Sequence, residues 1–227
     1  MIRLYLCGTN YDGVWASDVL PEIFSSRMKA AVLPLSYDYG WSSDAADWSE
    51  QFSEDSMFRY DLKRPLVSFG IPEKNIRWID HYRMEGFEPD DYDVLVLAGE
   101  DPAECMMRMD DLGLDLQSYR GILIGLSAGA SIMAERFSLY SEDSPVFELL
   151  PGLGLSQGFL LDMHWQEDEF HLRNVIYMLE TQDFPAICIP EDGGLLEEEG
   201  QFLLFGSAFV VTDRDLDRLY MKLESCR

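Results

Sequence analysis

Gly121-Ile-Leu-Ile-Gly-Leu-Ser127-Ala-Gly-Ala130 joins a short apolar run to a helix-like pattern through a serine flanked by small residues. A serine on a sharp strand-to-helix turn is pushed out of the sheet, and small neighbours let the turn close. The helix that follows aims its first unpaired N–H groups at whatever oxygen sits beside the serine. The same glycine-rich turn also serves as plain packing or as a phosphate cradle. The rest of the chain has to separate these readings.

Working outward, strand-like and helix-like segments alternate. Residues 2–7, 30–35, 93–98 and 121–126 read as apolar, buried strands, and 75–80 as a shorter, more polar one. Segments of helical length lie between them, at 15–28, 46–70 and 101–113. Continuous apolar strands separated by helices imply a mostly parallel sheet covered on both faces, a three-layer αβα sandwich. The last third reads as one more buried strand at 186–190, a hairpin at 195–199 and 201–206, a strand at 208–212 and a terminal helix. The acidic stretch 36–55 reads as a surface loop and helix start. With no repeat and no low-complexity linker, residues 1–227 form a single α/β domain.

Composition narrows the partners. Seventeen basic against 42 acidic residues give a net charge of −25, which repels nucleic acid and anionic membrane. No stretch reaches the roughly 20 apolar residues that span a bilayer, and the N-terminus is too short and strand-like for a secretory signal. Four scattered cysteines (Cys7, Cys105, Cys188, Cys226) have neither disulfide-framework nor metal-finger spacing, which fits a reducing cytoplasm.

Ligands of open sheets collect at the carboxyl ends of strands. Four such ends carry unusual residues: Ala98-Gly99-Glu100-Asp101-Pro102, Ser127, Leu161-Asp162-Met163-His164-Trp165 and Pro190-Glu191-Asp192-Gly193-Gly194. A serine hydroxyl needs a base within hydrogen-bond reach, itself oriented by a third group. Only three histidines are available. His81 reads as a surface-loop residue and His171 as a solvated helix-face residue, which leaves His164, at a strand exit, as the base. Asp162, Glu191 and Asp192 all remain candidates for the third member; Asp162 and His164, two apart, share a face if the strand stays extended.

Gly-Leu-Ser-Ala-Gly-Ala, Asp-Met-His-Trp and Ile-Pro-Glu-Asp-Gly, in that order, resemble the peptidase E and cyanophycinase family of serine peptidases over roughly residues 2–212. The resemblance implies a flavodoxin-like, class I glutamine amidotransferase-like fold with a C-terminal β-hairpin. It maps the nucleophile onto Ser127, the general base onto His164 and the orienting acid onto Glu191. By position, the oxyanion donors are the N–H groups of Ala128 and Gly99. Asp143 resembles an aspartate of the family's loop after the elbow helix, with a substrate-positioning role.

The chemistry implied is acyl transfer to Ser127 and hydrolysis of a small peptide, requiring neither metal nor cofactor, by a monomer or homodimer. Two departures bear on the site. The family's Gly-Gly-Gly-Asn turn reads Ala98-Gly99-Glu100-Asp101 here, and the usual arginines after His164 give way to an acidic run with only Arg173 nearby. The first bears on how the oxyanion is held, with less glycine freedom and two carboxylates near a developing negative charge, and the second speaks against an aspartyl preference. The alternative is a family member whose site has decayed into a binding or regulatory module. A glutaminase is disfavoured, because no cysteine occupies the elbow.

Overall fold

The computed structural model describes residues 1–36, 44–141 and 146–226. The first half contains β1 (Ile2–Leu6), β2 (Ala30–Pro34), α1 (Ala45–Gln51), α2 (Met57–Ser68), β3 (Ile76–Trp78), β4 (Val94–Gly99) and α3 (Pro102–Leu112). β5 (Ile122–Ser127) and the single-turn α4 (Ala128–Ser131) come next, then β6 (Arg136–Ser141), β7 (Val146–Pro151) and β8 (Leu160–Met163). The chain ends with α5 (Glu169–Thr181), β9 (Ala186–Ile189), β10 (Gly193–Glu198), β11 (Gln201–Gly206), β12 (Phe209–Val211) and α6 (Leu216–Ser225).

The central sheet has seven strands in the order β11-β10-β1-β5-β4-β2-β3. The five strands from β1 to β3 run parallel, and β10 and β11 close the edge antiparallel. Alternation along each strand splits the core in two. Leu33, Leu95, Leu97 and Leu123 face α3 and α4, while Val32, Val94, Val96 and Ile124 face α2. Each fully buried leucine contributes about 1.5–3 kcal/mol relative to exposure. The fold is therefore the α/β sandwich expected, with its parallel core strands buried on both faces.

Several elements differ from the sequence expectation. The helix expected at 15–28 is two isolated 3-10 turns, Val14–Ala16 and Leu20–Glu22. Pro21 has no N–H to offer a continuing helix and restricts the residue before it. The segment is held instead by stacking of Trp15 on Phe205, with ring centroids 5.6 Å apart. The helix expected at 46–70 is two, each with its own cap: Asp44 accepts from Ala46 and Asp47 N–H, and Ser56 from Arg59 N–H. The elbow helix is only one turn long. After it the chain forms the β6–β7 hairpin, which the sequence reading left unassigned, and β9 joins β8 and β12 in a separate three-stranded sheet. Residues 37–43 of the acidic stretch, and Asp143, lie outside the described residues. Among the described residues, no helix is long and apolar enough to cross a membrane.

Candidate active site

The elbow is built by close approach. A Cβ on Gly129 would lie 2.1 Å from Leu97 O, and one on Gly125 would lie 2.4 Å from the Ala130 Cα. Only glycine lets α4 sit this tightly on β4 and β5. Ser127, between them, is forced to φ 53 and ψ −119. Among the described residues only Ser127, His164 and Glu199 have positive φ without being glycine. Glu199 belongs to the two-residue β10–β11 turn with Gly200, where such φ values are required. The other two belong to the site. Strain of this kind costs on the order of 1–3 kcal/mol per residue and persists only where the surroundings enforce it.

Ser127, His164 and Glu191 come together. Ser127 Oγ lies 2.8 Å from His164 Nε2, and His164 Nδ1 lies 2.5 Å from Glu191 Oε1. Ser127 comes from the central sheet, His164 from the end of β8 in the small sheet, and Glu191 from the turn between β9 and β10. The His164 and Glu191 side chains are 41% and 66% exposed, so their attraction is screened by water and works as orientation more than as stability.

The other candidate acids are engaged elsewhere. Asp162, buried, accepts from Asn174 Nδ2 at 2.5 Å and pairs with His171 Nδ1 at 2.8 Å. The shared-face argument for Asp162 and His164 fails because β8 ends at Met163 and His164 turns to φ 58. His171 is correspondingly not a solvated residue; it is largely buried against Asp162. Burial works to lower its pKa, but the hydrogen bond and charge of Asp162, with Asp168 behind it, hold it above the ordinary imidazole value. Asp192 accepts a hydrogen bond from Ser207 Oγ. His81 lies away from the site, packed on Trp48 and Tyr82.

The expected oxyanion turn flanks the serine. The parallel register sets Gly99 opposite Ser127. Ala128 opens α4, so its N–H has no intrahelical acceptor. Of the two carboxylates in this turn, Asp101 caps α3 by accepting from Glu104 N–H at 2.8 Å, while Glu100 is exposed. The Glu100 and Asp101 N–H groups both donate to Ser36 Oγ, each at 3.0 Å.

Two cavities meet at Ser127. One, of about 490 Å³, runs between Thr9, Phe58, Asp61 and the Gly99 turn. The other, of about 220 Å³, is walled by Ser138, Tyr140, Phe147, Phe170 and His171. Among the described residues, neither lining includes a lysine or arginine. Arg173, the basic residue nearest in sequence after His164, is spent on Glu169 at 2.6 Å.

Two residues at this site escaped the sequence reading. Cys7 Sγ accepts from the His164 backbone N–H at 3.1 Å, and Ser36 Oγ holds the turn after β4 through the Glu100 and Asp101 N–H groups. Cys7 directly follows β1, and Ser36 lies two residues beyond the end of β2.

Comparison with family models and with curated proteins finds no match. Among solved structures, the chain matches that of a candidate peptidase E protein from Listeria monocytogenes. The TM-score is 0.59 at 14% identity, covering 89% of this chain and 96% of that one. The fold is peptidase E-like. At this identity the peptidase E likeness speaks to the arrangement of strands and helices and leaves the chemistry to be argued from the side chains.

Proposed function

We propose that this chain is a serine-type peptidase acting on small peptides, with Ser127 as nucleophile, His164 as general base and Glu191 as orienting acid. The observation that carries the reading is the unbroken hydrogen-bonded series Ser127 Oγ, His164 Nε2, His164 Nδ1 and Glu191 Oε1, at 2.8 and 2.5 Å, standing on a strained elbow. Nucleophile, base and orienter within hydrogen-bond reach are the arrangement acyl transfer needs. The peptidase E-like fold supports it.

In this mechanism Ser127 Oγ attacks the peptide carbonyl carbon as His164 Nε2 takes its proton. Glu191 accepts the Nδ1 hydrogen bond throughout, fixing the tautomer and stabilising the imidazolium. The tetrahedral oxyanion is held by the N–H groups of Ala128 and Gly99, each donor being worth about 3–4 kcal/mol in such sites. Collapse breaks the C–N bond, and His164 returns the proton to the leaving amine. Water then repeats the sequence on the acyl-enzyme, releasing acid and free serine. Cavity walls without basic residues, and an Arg173 already paired, argue against a preference for acidic side chains.

The test is labelling with a fluorophosphonate probe. The wild-type protein should label at Ser127, and Ser127→Ala should not. A folded wild-type protein that stays unlabelled would overturn the reading in favour of a binding or regulatory module. A panel of dipeptides and short peptides with varied residues before the scissile bond then defines the substrate.

A further inference from the structure

His164 is the least naturally placed member of the site. It lies just beyond the end of β8, at φ 58, where an L-residue other than glycine is uncommon. Something has to hold its backbone there, since neither the Ser127 nor the Glu191 hydrogen bond touches the main chain. The Cys7 thiol does touch it. Cys7 Sγ accepts the His164 N–H at 3.1 Å and donates to the Ile189 carbonyl at 2.9 Å. Ile189 is the last residue of β9 and leads through Pro190 into Glu191. The preceding residue, Leu6, pairs with Leu126 on one side and Gly194 on the other. Cys7 therefore emerges between the strand that ends in the nucleophile and the strand that follows the acid. One buried sulfur thus links the backbones that carry His164 and Glu191, at the level of Ser127.

We propose that Cys7 is a positioning residue for the Ser127–His164–Glu191 relay, its thiol acting as a two-way hydrogen-bonding clasp that fixes the His164 main chain relative to the end of β9. This rests on the serine-peptidase reading of the same site. The sulfur does no chemistry on the substrate. It contacts the histidine through the main chain, and burial pushes its pKa up to about 12, so the thiol keeps the proton that it donates to the Ile189 carbonyl. Serine in its place retains a donor and an acceptor on a shorter arm. Alanine removes both and leaves the His164 N–H and the Ile189 carbonyl without this partner.

The experiment compares wild type, Cys7→Ala and Cys7→Ser in two readouts. The first is the second-order rate constant for fluorophosphonate labelling of Ser127. Misplacement of a catalytic group by about 1 Å costs on the order of 100-fold, so Cys7→Ala should slow labelling by roughly 10- to 100-fold. Cys7→Ser should recover most of that loss. The second readout is proton NMR of the His164 ring: the low-field Nδ1 proton shared with Glu191 should be present in wild type and Cys7→Ser and weakened or shifted in Cys7→Ala.

Labelling of Cys7→Ala at the wild-type rate, or an unchanged His164 ring signal, overturns the proposal. So does a Cys7→Ser protein that is folded yet as slow as Cys7→Ala, because hydrogen bonding would then not be what the sulfur supplies. If wild type itself does not label, the peptidase reading fails. The NMR comparison still decides whether Cys7 places His164, so the two failures are told apart.

Discussion

Asp162 and His171 form a nearly buried pair, Oδ2 to Nδ1 at 2.8 Å, and both line the smaller of the two cavities that meet at Ser127. The pair ties β8 to α5, with Asn174 accepting from Ser138 Oγ at 2.6 Å and donating to the same aspartate. Removing one partner of such a pair leaves the other buried and uncompensated. Asp162→Ala should therefore cost about 3–5 kcal/mol in urea unfolding. Asp162→Asn, which keeps the shape and a hydrogen bond, should cost clearly less. Equal losses in the two variants would show that the charge pairing is irrelevant.

His171 and His81 should titrate in a readable order. Asp162 holds His171 above the ordinary imidazole value, whereas burial, with the Arg108 charge added, holds His81 below it. The signs then follow. The contribution of His171 to stability is complete below its unfolded pKa of about 6.5 and is lost as pH rises through its higher folded pKa. That of His81 is present above about 6.5 and is lost as pH falls through its lower folded pKa. Proton NMR titration, with each signal assigned by single histidine substitution, checks the order. A His171 midpoint below that of His81 would refute it.

Glu191→Gln preserves size but withdraws the charge that steadies the imidazolium. Loss of a buried triad aspartate costs about 10,000-fold in rate. Glu191 is two-thirds exposed, so the loss in peptide-hydrolysis kcat should fall short of that figure, with KM little changed. A variant as slow as Ser127→Ala would mean that the acid does more than orient.

Gly129→Ala sets a methyl group 2.1 Å from the Leu97 carbonyl, backbone against backbone. The elbow has to open, which should destabilise the protein by about 1–3 kcal/mol and depress probe labelling as well. Chemical denaturation alongside labelling kinetics measures both. A variant unchanged in both would show that the elbow tolerates a wider turn.

Ser36→Ala releases the Glu100 and Asp101 N–H groups from their shared acceptor. A fully buried donor left unsatisfied costs about 1–3 kcal/mol, so these part-buried ones should cost less, and a loosened turn would present Gly99 less squarely to the proposed oxyanion. Lower kcat at nearly constant KM is the expected signature. A rise in KM alone would place Ser36 in substrate binding instead.

The elbow was legible because three constraints coincide in ten residues: an apolar strand, a serine, and glycines where backbones touch. The β10–β11 hairpin was legible through Glu199-Gly200 between two runs of strand type. The β6–β7 hairpin was not, because its two strands alternate weakly and are largely unburied. Asp162 stayed among the candidates for the third residue because periodicity assumes that the strand continues, and β8 stops one residue too early. Cys7 and Ser36 were invisible for another reason. Their roles consist of hydrogen bonds to main-chain atoms far along the sequence, and residue type alone does not announce such partners.

The proposed nucleophile and base stand on different sheets, Ser127 on the seven-stranded one and His164 at the rim of the three-stranded one. Their 2.8 Å separation is thus a gauge of how firmly the two sheets are seated on each other. Warming that loosens this seating disarms the serine while each sheet is still intact. Heat inactivation should accordingly run ahead of the loss of secondary structure.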